Sequence, residues 1–252
     1  MRMKVFAARN SREMLRDFVT YIFTVGVPLL MLVVMTFVNE SLPASAHVDI
    51  FRIDQLAPGI AVFAFTFLML NGALLVSKDR STALLTRLYA SPMNPADYLL
   101  GYTLPLLMMA LGQYVVLFSG ALIISSIVGI ALSFSNILLT GVVLVPVALL
   151  FITMGLLFGT LFNDKAAPPV SSLFITLSTI IGGVWMDIAA VGGAFEAVCN
   201  LFPFYHAVKI ARSVMAGQFD KIDLSLLVVL CYTVIISGIA VIVFKNKMKS
   251  DA

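Results

Sequence analysis

The chain has 252 residues, of which 61% are hydrophobic and 12% charged, with a mean hydropathy of +1.05. That much apolar surface cannot be hidden inside a soluble domain of this size, so the composition specifies an integral membrane protein. A net charge of +3 is too small to point to nucleic acid, and the basic residues gather at the ends of apolar segments, as membrane topology requires.

Residues 1–17 read as an amphipathic interfacial helix. Met3, Phe6, Ala7, Met14 and Phe18 fall on one side and Arg2, Arg9, Arg12 and Arg16 on the other. Such a helix anchors the amino end to anionic lipid, or acts as an elbow that moves with the first span. Phe18–Val38 follows, uncharged and about 31 Å long as a helix, against a hydrocarbon core of about 30 Å. It is too long for the apolar region of a secretory signal, although Ala44-Ser45-Ala46 resembles a cleavage site.

Further uncharged stretches run over Leu56–Ser77, Tyr98–Asn163, Ala166–Met186 and Leu224–Phe244. As one helix Tyr98–Asn163 would extend about 99 Å, so it must fold back, and the turn-prone Ser133-Phe134-Ser135-Asn136 divides it into spans over 98–132 and 136–163. Six crossings result, with Pro28, Pro105 and Pro146 inside spans as kinks. With both termini cytoplasmic, twelve of the 16 Lys and Arg residues lie inside, leaving Arg52, Lys209, Arg212 and Lys221 outside, as the positive-inside rule expects. The apolar stretch 187–223 is predicted to form two short outer helices on either side of the Phe202-Pro203-Phe204 turn. Pro203 suits a first helical turn and Gly217 a stop, and both helices dip into the outer leaflet and return.

No Asp, Glu, Lys, Arg or His falls inside the six spans, which disfavours proton antiport and intramembrane catalysis. Asn71 and Gln113 are the notable polar residues there, placed either to line a path or to bond between helices. His47 and His206 are isolated, and Cys199 and Cys231 have neither CxxC spacing nor histidine partners; no catalytic, cofactor-binding or metal-binding residues are assigned. The pattern GxxxxGK[ST] is absent, so any ATP and Mg would bind on another subunit.

The cytoplasmic connection SKDRSTALLTRLYASPMNPADYLLG, Ser77–Gly101, is the most informative segment. A helix over 81–90 with Leu84, Leu85 and Leu88 on one side and Asp79, Arg80 and Arg87 at its edges would suit a groove on a soluble partner. Ser91-Pro92 ends it, and Asn94, Pro95 and Asp97 form the cap, first position and acidic first turn of the next helix.

At these residues the chain resembles the membrane subunit of type 2 ABC transporters, the permeases of bacterial drug, lipid and polysaccharide exporters. The family often shows a pattern like DRExGTLERLxxSP followed by EYLLGK. It is matched here by Asp79-Arg80, Leu85, Arg87-Leu88, Ser91-Pro92 and Asp97-Tyr98-Leu99-Leu100-Gly101, while Ser81, Ala83, Leu84 and Thr86 depart from it. Pro58-Gly59 and Leu201–Phe204 extend the likeness over the chain. The resemblance implies a single all-α permease domain over 1–252 in the cytoplasmic membrane of a prokaryote. It also implies pairing with a second permease, identical or not, and a P-loop ATPase docked on 81–90. Export of an amphipathic drug, lipid or peptide would follow, on a path lined by the second and fifth spans. A secondary carrier lacks the charged groups it would need, and a non-transporting scaffold or sensor subunit is the rival. Replacing Leu85 and Leu88 together with Asp is expected to abolish copurification of an ATPase with the tagged chain; unchanged assembly would contradict the docking assignment.

Overall fold

The computed structural model describes residues 2–82 and 94–251, and all regular structure among them is helical. Helix α1, Arg2–Arg16, stops at Asp17, whose carboxylate accepts from Thr20 N (3.2 Å) and Thr20 Oγ1 (2.8 Å) and caps the next helix. The Thr20 hydroxyl holds the Asp17 carboxyl below its ordinary range. Helix α2, Phe18–Ser41, contains a π-helical turn at Ile22–Gly26. Pro28 lies just beyond it and has no N–H to give to the carbonyl of Thr24, so the backbone pairing shifts there.

Helix α3, Ile53–Ser81, is the central element, with 72% of its most apolar window buried; for α2 the figure is 17%. Around it lie α4 (Pro95–Val128), α5 (Phe134–Leu161) and α6 (Ala167–Gly182), then the short outer helices α7 (Ile188–Val191), α8 (Gly193–Cys199) and α9 (Pro203–Met215). Helix α10, Asp223–Asp251, packs mainly against α5, and its apolar window is only 11% buried. The weakly buried α2 and α10 therefore present apolar side chains outward, as lipid-facing helices do.

The α3–α5 contact is the most extensive in the molecule and rests on glycine. A side chain at Gly155 would run into the backbone of Met69, and one at Gly159 would lie 2.5 Å from the carbonyl of Ala73. The two glycines sit one turn apart on α5, and their missing side chains let the helix backbones touch. On the other side, Gly72 faces the backbone of Gly155.

Several boundaries differ from the sequence expectation. The turn after α4 falls at Gly129–Ser133, four residues early, because Gly129 adopts φ 80° and its N–H returns to Ser125 O, ending the helix before apolar Ile130–Leu132. The predicted span 166–186 is a helix only over Ala167–Gly182, 16 residues or about 24 Å, since Gly183 turns left-handed at φ 67°. Among the described residues five helices, rather than six, are thus long and apolar enough to cross a membrane. The outer stretch holds three short helices instead of two, split additionally by Gly192 and Gly193, both at positive φ. Ser81 belongs to α3, not to a separate helix, and residues 83–90 of the expected coupling helix lie outside the described residues. The capping box at Asn94 and Asp97 is present as expected, with Asn94 N donating to Asp97 Oδ2 at 3.2 Å.

Because no space exists at the α3–α5 contact, Gly155→Leu is expected to destabilise the fold by at least about 1–3 kcal/mol. Gly238→Ala, which meets nothing within 4 Å, should be neutral. Thermal unfolding of the purified protein in detergent checks both.

Candidate functional site

The last turn of α3 carries Lys78, Asp79 and Arg80 in succession, and each holds a different part of the bundle. Asp79 is 1% exposed, and a carboxylate there requires partners for its charge. Arg9 of α1 supplies two bonds in a forked arrangement, Nη1 to Oδ2 at 2.7 Å and Nη2 to Oδ1 at 3.0 Å. Tyr102 of α4 donates its hydroxyl to Oδ2 at 2.8 Å. One buried acid thus ties three helices together.

The network continues along α1. Arg9 pairs with Glu13 at 2.7 Å, and Glu13 receives Lys78 Nζ at 2.8 Å. Bonding to Asp79 raises the Arg9 pKa above its ordinary value, reinforcing a charge that is permanent at any working pH. Asn10, fully buried, donates to the Gly101 carbonyl at 3.1 Å, while Phe6 packs edge-on against Tyr98 and Tyr102 with centroids 5.9 and 4.9 Å away. A side chain at Gly101 would collide with the Phe6 ring, so glycine is what admits α1 to α4. The amphipathic helix is therefore bolted to the bundle through buried polar and aromatic contacts.

Arg80 turns the opposite way. Its Nη1 donates to the carbonyls of Gly159 (3.2 Å), Thr160 and Phe162 (3.4 Å), where the chain leaves α5. A cation at a helix C-terminus satisfies carbonyls that have no helical partner and complements the dipole.

These positions correct two expectations. Asp79 and Arg80 do not sit at the edges of a separate helix facing a partner; both lie in α3 and point into the bundle. Arg9 does not share the solvent-facing side of α1 with Arg12 and Arg16, because Asp79 draws it inward, whereas Arg12 and Arg16 are exposed. Leu84, Leu85, Arg87 and Leu88 lie outside the described residues. Asn71 bonds between helices, Nδ2 donating to Thr24 Oγ1 at 2.9 Å, and borders a cavity of about 440 Å³ with Arg16, Asp17 and Lys78. Gln113 is 4% exposed, and neither amide atom has a partner among the described residues.

At the opposite end of the bundle, Phe202 caps α9, Pro203 takes its first position and Phe204 stacks on Phe151 of α5 at 5.8 Å. His206 is buried, with Nδ1 3.0 Å from Ser225 Oγ and Nε2 2.9 Å from the Asn200 carbonyl; an Nε2–H tautomer satisfies both. Arg212, which sequence reasoning placed in an outer connection without a role, bonds the carbonyls of Gln55 (3.1 Å), Gly183 (3.0 Å) and Val184 (3.0 Å). Burial pushes its pKa down to about 10, so it remains a cation joining α3, α9 and the turn after α6. Among the described residues no group of three or more His, Cys, Asp or Glu is placed to hold a metal ion.

A bundle of long apolar helices with the Asp79 ionic network at one end and a cap of short helices at the other defines a multi-pass membrane protein. The family model described as ABC-2 type transporter matches residues 1–216, most of the chain, and the protein belongs to that family. Comparison with curated proteins gave no match. Family membership makes the chain a membrane component of an ABC transporter, which works with an ATPase partner.

Asp79→Asn and Arg9→Gln are each expected to lower the unfolding temperature. Because they remove the same contact, the double variant should lose less than both losses together, with a coupling of about 0.5–3 kcal/mol. Strictly additive losses in the double-mutant cycle would show that the pair carries no shared energy.

Proposed function

We propose that the chain is the permease half of an ATP-driven exporter, in which the foot of α3 converts movement of a docked ATPase into movement of the bundle. One observation carries this reading. The residues immediately before the family-like docking segment, Lys78 to Arg80, grip α1, α4 and the end of α5 at once. A displacement applied to residues 81–90 therefore cannot remain local.

In this reading Leu84, Leu85, Arg87 and Leu88 form the docking face, and Asp79 and Arg80 transmit its motion without touching the partner. ATP and Mg bind on the partner ATPase. Two permeases, identical or different, pair around the path. Helix α6 completes a sixth crossing together with the turn that follows it, both termini lie in the cytoplasm of a prokaryotic cell, and α7–α9 form a re-entrant outer cap. The walls of the bundle are apolar, which suits an amphipathic drug, lipid or peptide better than a bare cation.

The test is to purify the tagged chain with its genomic neighbours in mild detergent and measure ATP hydrolysis in lipid nanodiscs. A stoichiometric P-loop ATPase that is lost with Leu85→Asp/Leu88→Asp supports docking. Arg9→Gln should retain the ATPase while reducing substrate-stimulated hydrolysis severalfold, the signature of transmission. Purification of the chain intact and without an ATPase would favour a scaffold or sensor subunit instead.

A further inference from the structure

A second cavity, of about 580 Å³, opens between the elbow joining α1 to α2 and the face of α4. Its walls are almost wholly apolar, and its volume lies in the range of small-molecule sites, about 300–1,000 Å³. On α4 it extends from Pro105 to Val116, a rise of about 16 Å, which makes it an elongated groove running down from the level of α1. None of its lining residues belongs to the Asp79 network.

Three polar side chains line this groove: Ser11 near its mouth, Tyr21 along its wall, and Gln113 toward its far end. Gln113 is the informative one. It is 4% exposed, and neither its Nε2 nor its Oε1 has a partner among the described residues. An amide buried in apolar surroundings without hydrogen bonds costs about 1–3 kcal/mol, so a group that supplied both bonds would recover that energy. The buried amides Asn10 and Asn39 each have at least one bond, to Gly101 and Val48. The groove also has room beside this amide, since side chains added at Gly112 or Gly26, both lining residues, would meet nothing within 4 Å.

The mouth has a cation close by. Arg12 follows the lining residue Ser11 in the chain, is exposed and has no ion-pair partner among the described residues, so a neutral or anionic head is favoured there over a cationic one; Arg16 borders the other cavity. At depth the choice reverses toward neutrality, because Gln113 offers one donor and one acceptor and no charge.

We infer that this groove binds a single-chain amphiphile drawn sideways from the leaflet in which α1 lies, with a carboxylate-like head at the mouth near Arg12 and an uncharged hydroxyl or carbonyl on its chain at Gln113. The inference rests on α1 lying in the membrane interface, but not on ATPase docking or on the direction of transport. The site is separate from the α3–α5 contact and from the cavity bordered by Asn71.

The test uses the full chain in nanodiscs and a photoactivatable long-chain fatty acid, with crosslinks located by mass spectrometry. Competition by a fatty acid carrying a mid-chain hydroxyl is compared with competition by the same chain without it. The expected result is labelling at Met108, Met109 or Ile22, displaced about threefold to tenfold more effectively by the hydroxylated chain. Gln113→Leu should remove that preference while keeping the labelling, and Gly112→Leu should block labelling without lowering the unfolding temperature. Equal competition by the two chains would overturn the role of Gln113. Labelling of α1 alone, with the groove untouched, would overturn the site while leaving the interfacial helix in place; labelling of neither would overturn both.

Discussion

The buried carboxylate of Asp79 is the constraint on which the α1 end of the molecule depends. A charge at 1% exposure demands an opposite charge and hydrogen bonds, and it finds them only if α1 and α4 come to the foot of α3. From this requirement follow the inward turn of Arg9, the lodging of Phe6 between two tyrosines and the glycine at position 101 that admits it. Asp79 and its neighbour Arg80 divide the work. One holds the elements before and after α3 in the chain, and the other holds the end of α5.

Glycine performs the corresponding task in the middle of the bundle. Apolar side chains gain little from leaving lipid for a protein interior, so close approach and dispersion must hold membrane helices together. Gly155 and Gly159 let α5 reach the backbone of α3, 19 of whose 29 residues are buried. The ionic foot and the surface that meets the α5 glycines both belong to α3, which makes it a stiff member running from the foot to the cap of short helices.

Much of this was legible in the sequence. Uncharged length located the long helices, and Asn94 with Asp97 announced the start of α4, because caps are local chemistry that the chain states outright. The Gly155-x-x-x-Gly159 spacing was also on display, although a spacing alone does not say which helix will sit against it. What sequence could not give was the direction in which Asp79 and Arg9 face. They are 70 positions apart, and on amphipathicity alone an arginine of α1 belongs with its solvated neighbours. The turn at Gly129 was hidden for a related reason: Ile130, Ala131 and Leu132 read as more of the same apolar helix, and the left-handed glycine that ends it adds no charge or polarity to mark the place. Gln113 was visible as a polar residue, but its lack of partners is a property of the packed bundle.

The two ends of the bundle are fastened by different physics. The α1 end depends on full charges of opposite sign, several of them partly open to water: Arg9, Glu13 and Lys78 around Asp79. The opposite end is centred on one buried cation, Arg212, held by three backbone dipoles with Asp187 adding a favourable field, and its ion pair Arg52–Asp54 at 3.3 Å is local to the start of α3. Dissolved ions screen the first kind of fastening within a Debye length of about 8 Å at physiological ionic strength and scarcely reach the second. Ionic strength therefore acts unevenly on the molecule, loosening the elbow and the foot of α3 more than the buried Arg212 junction.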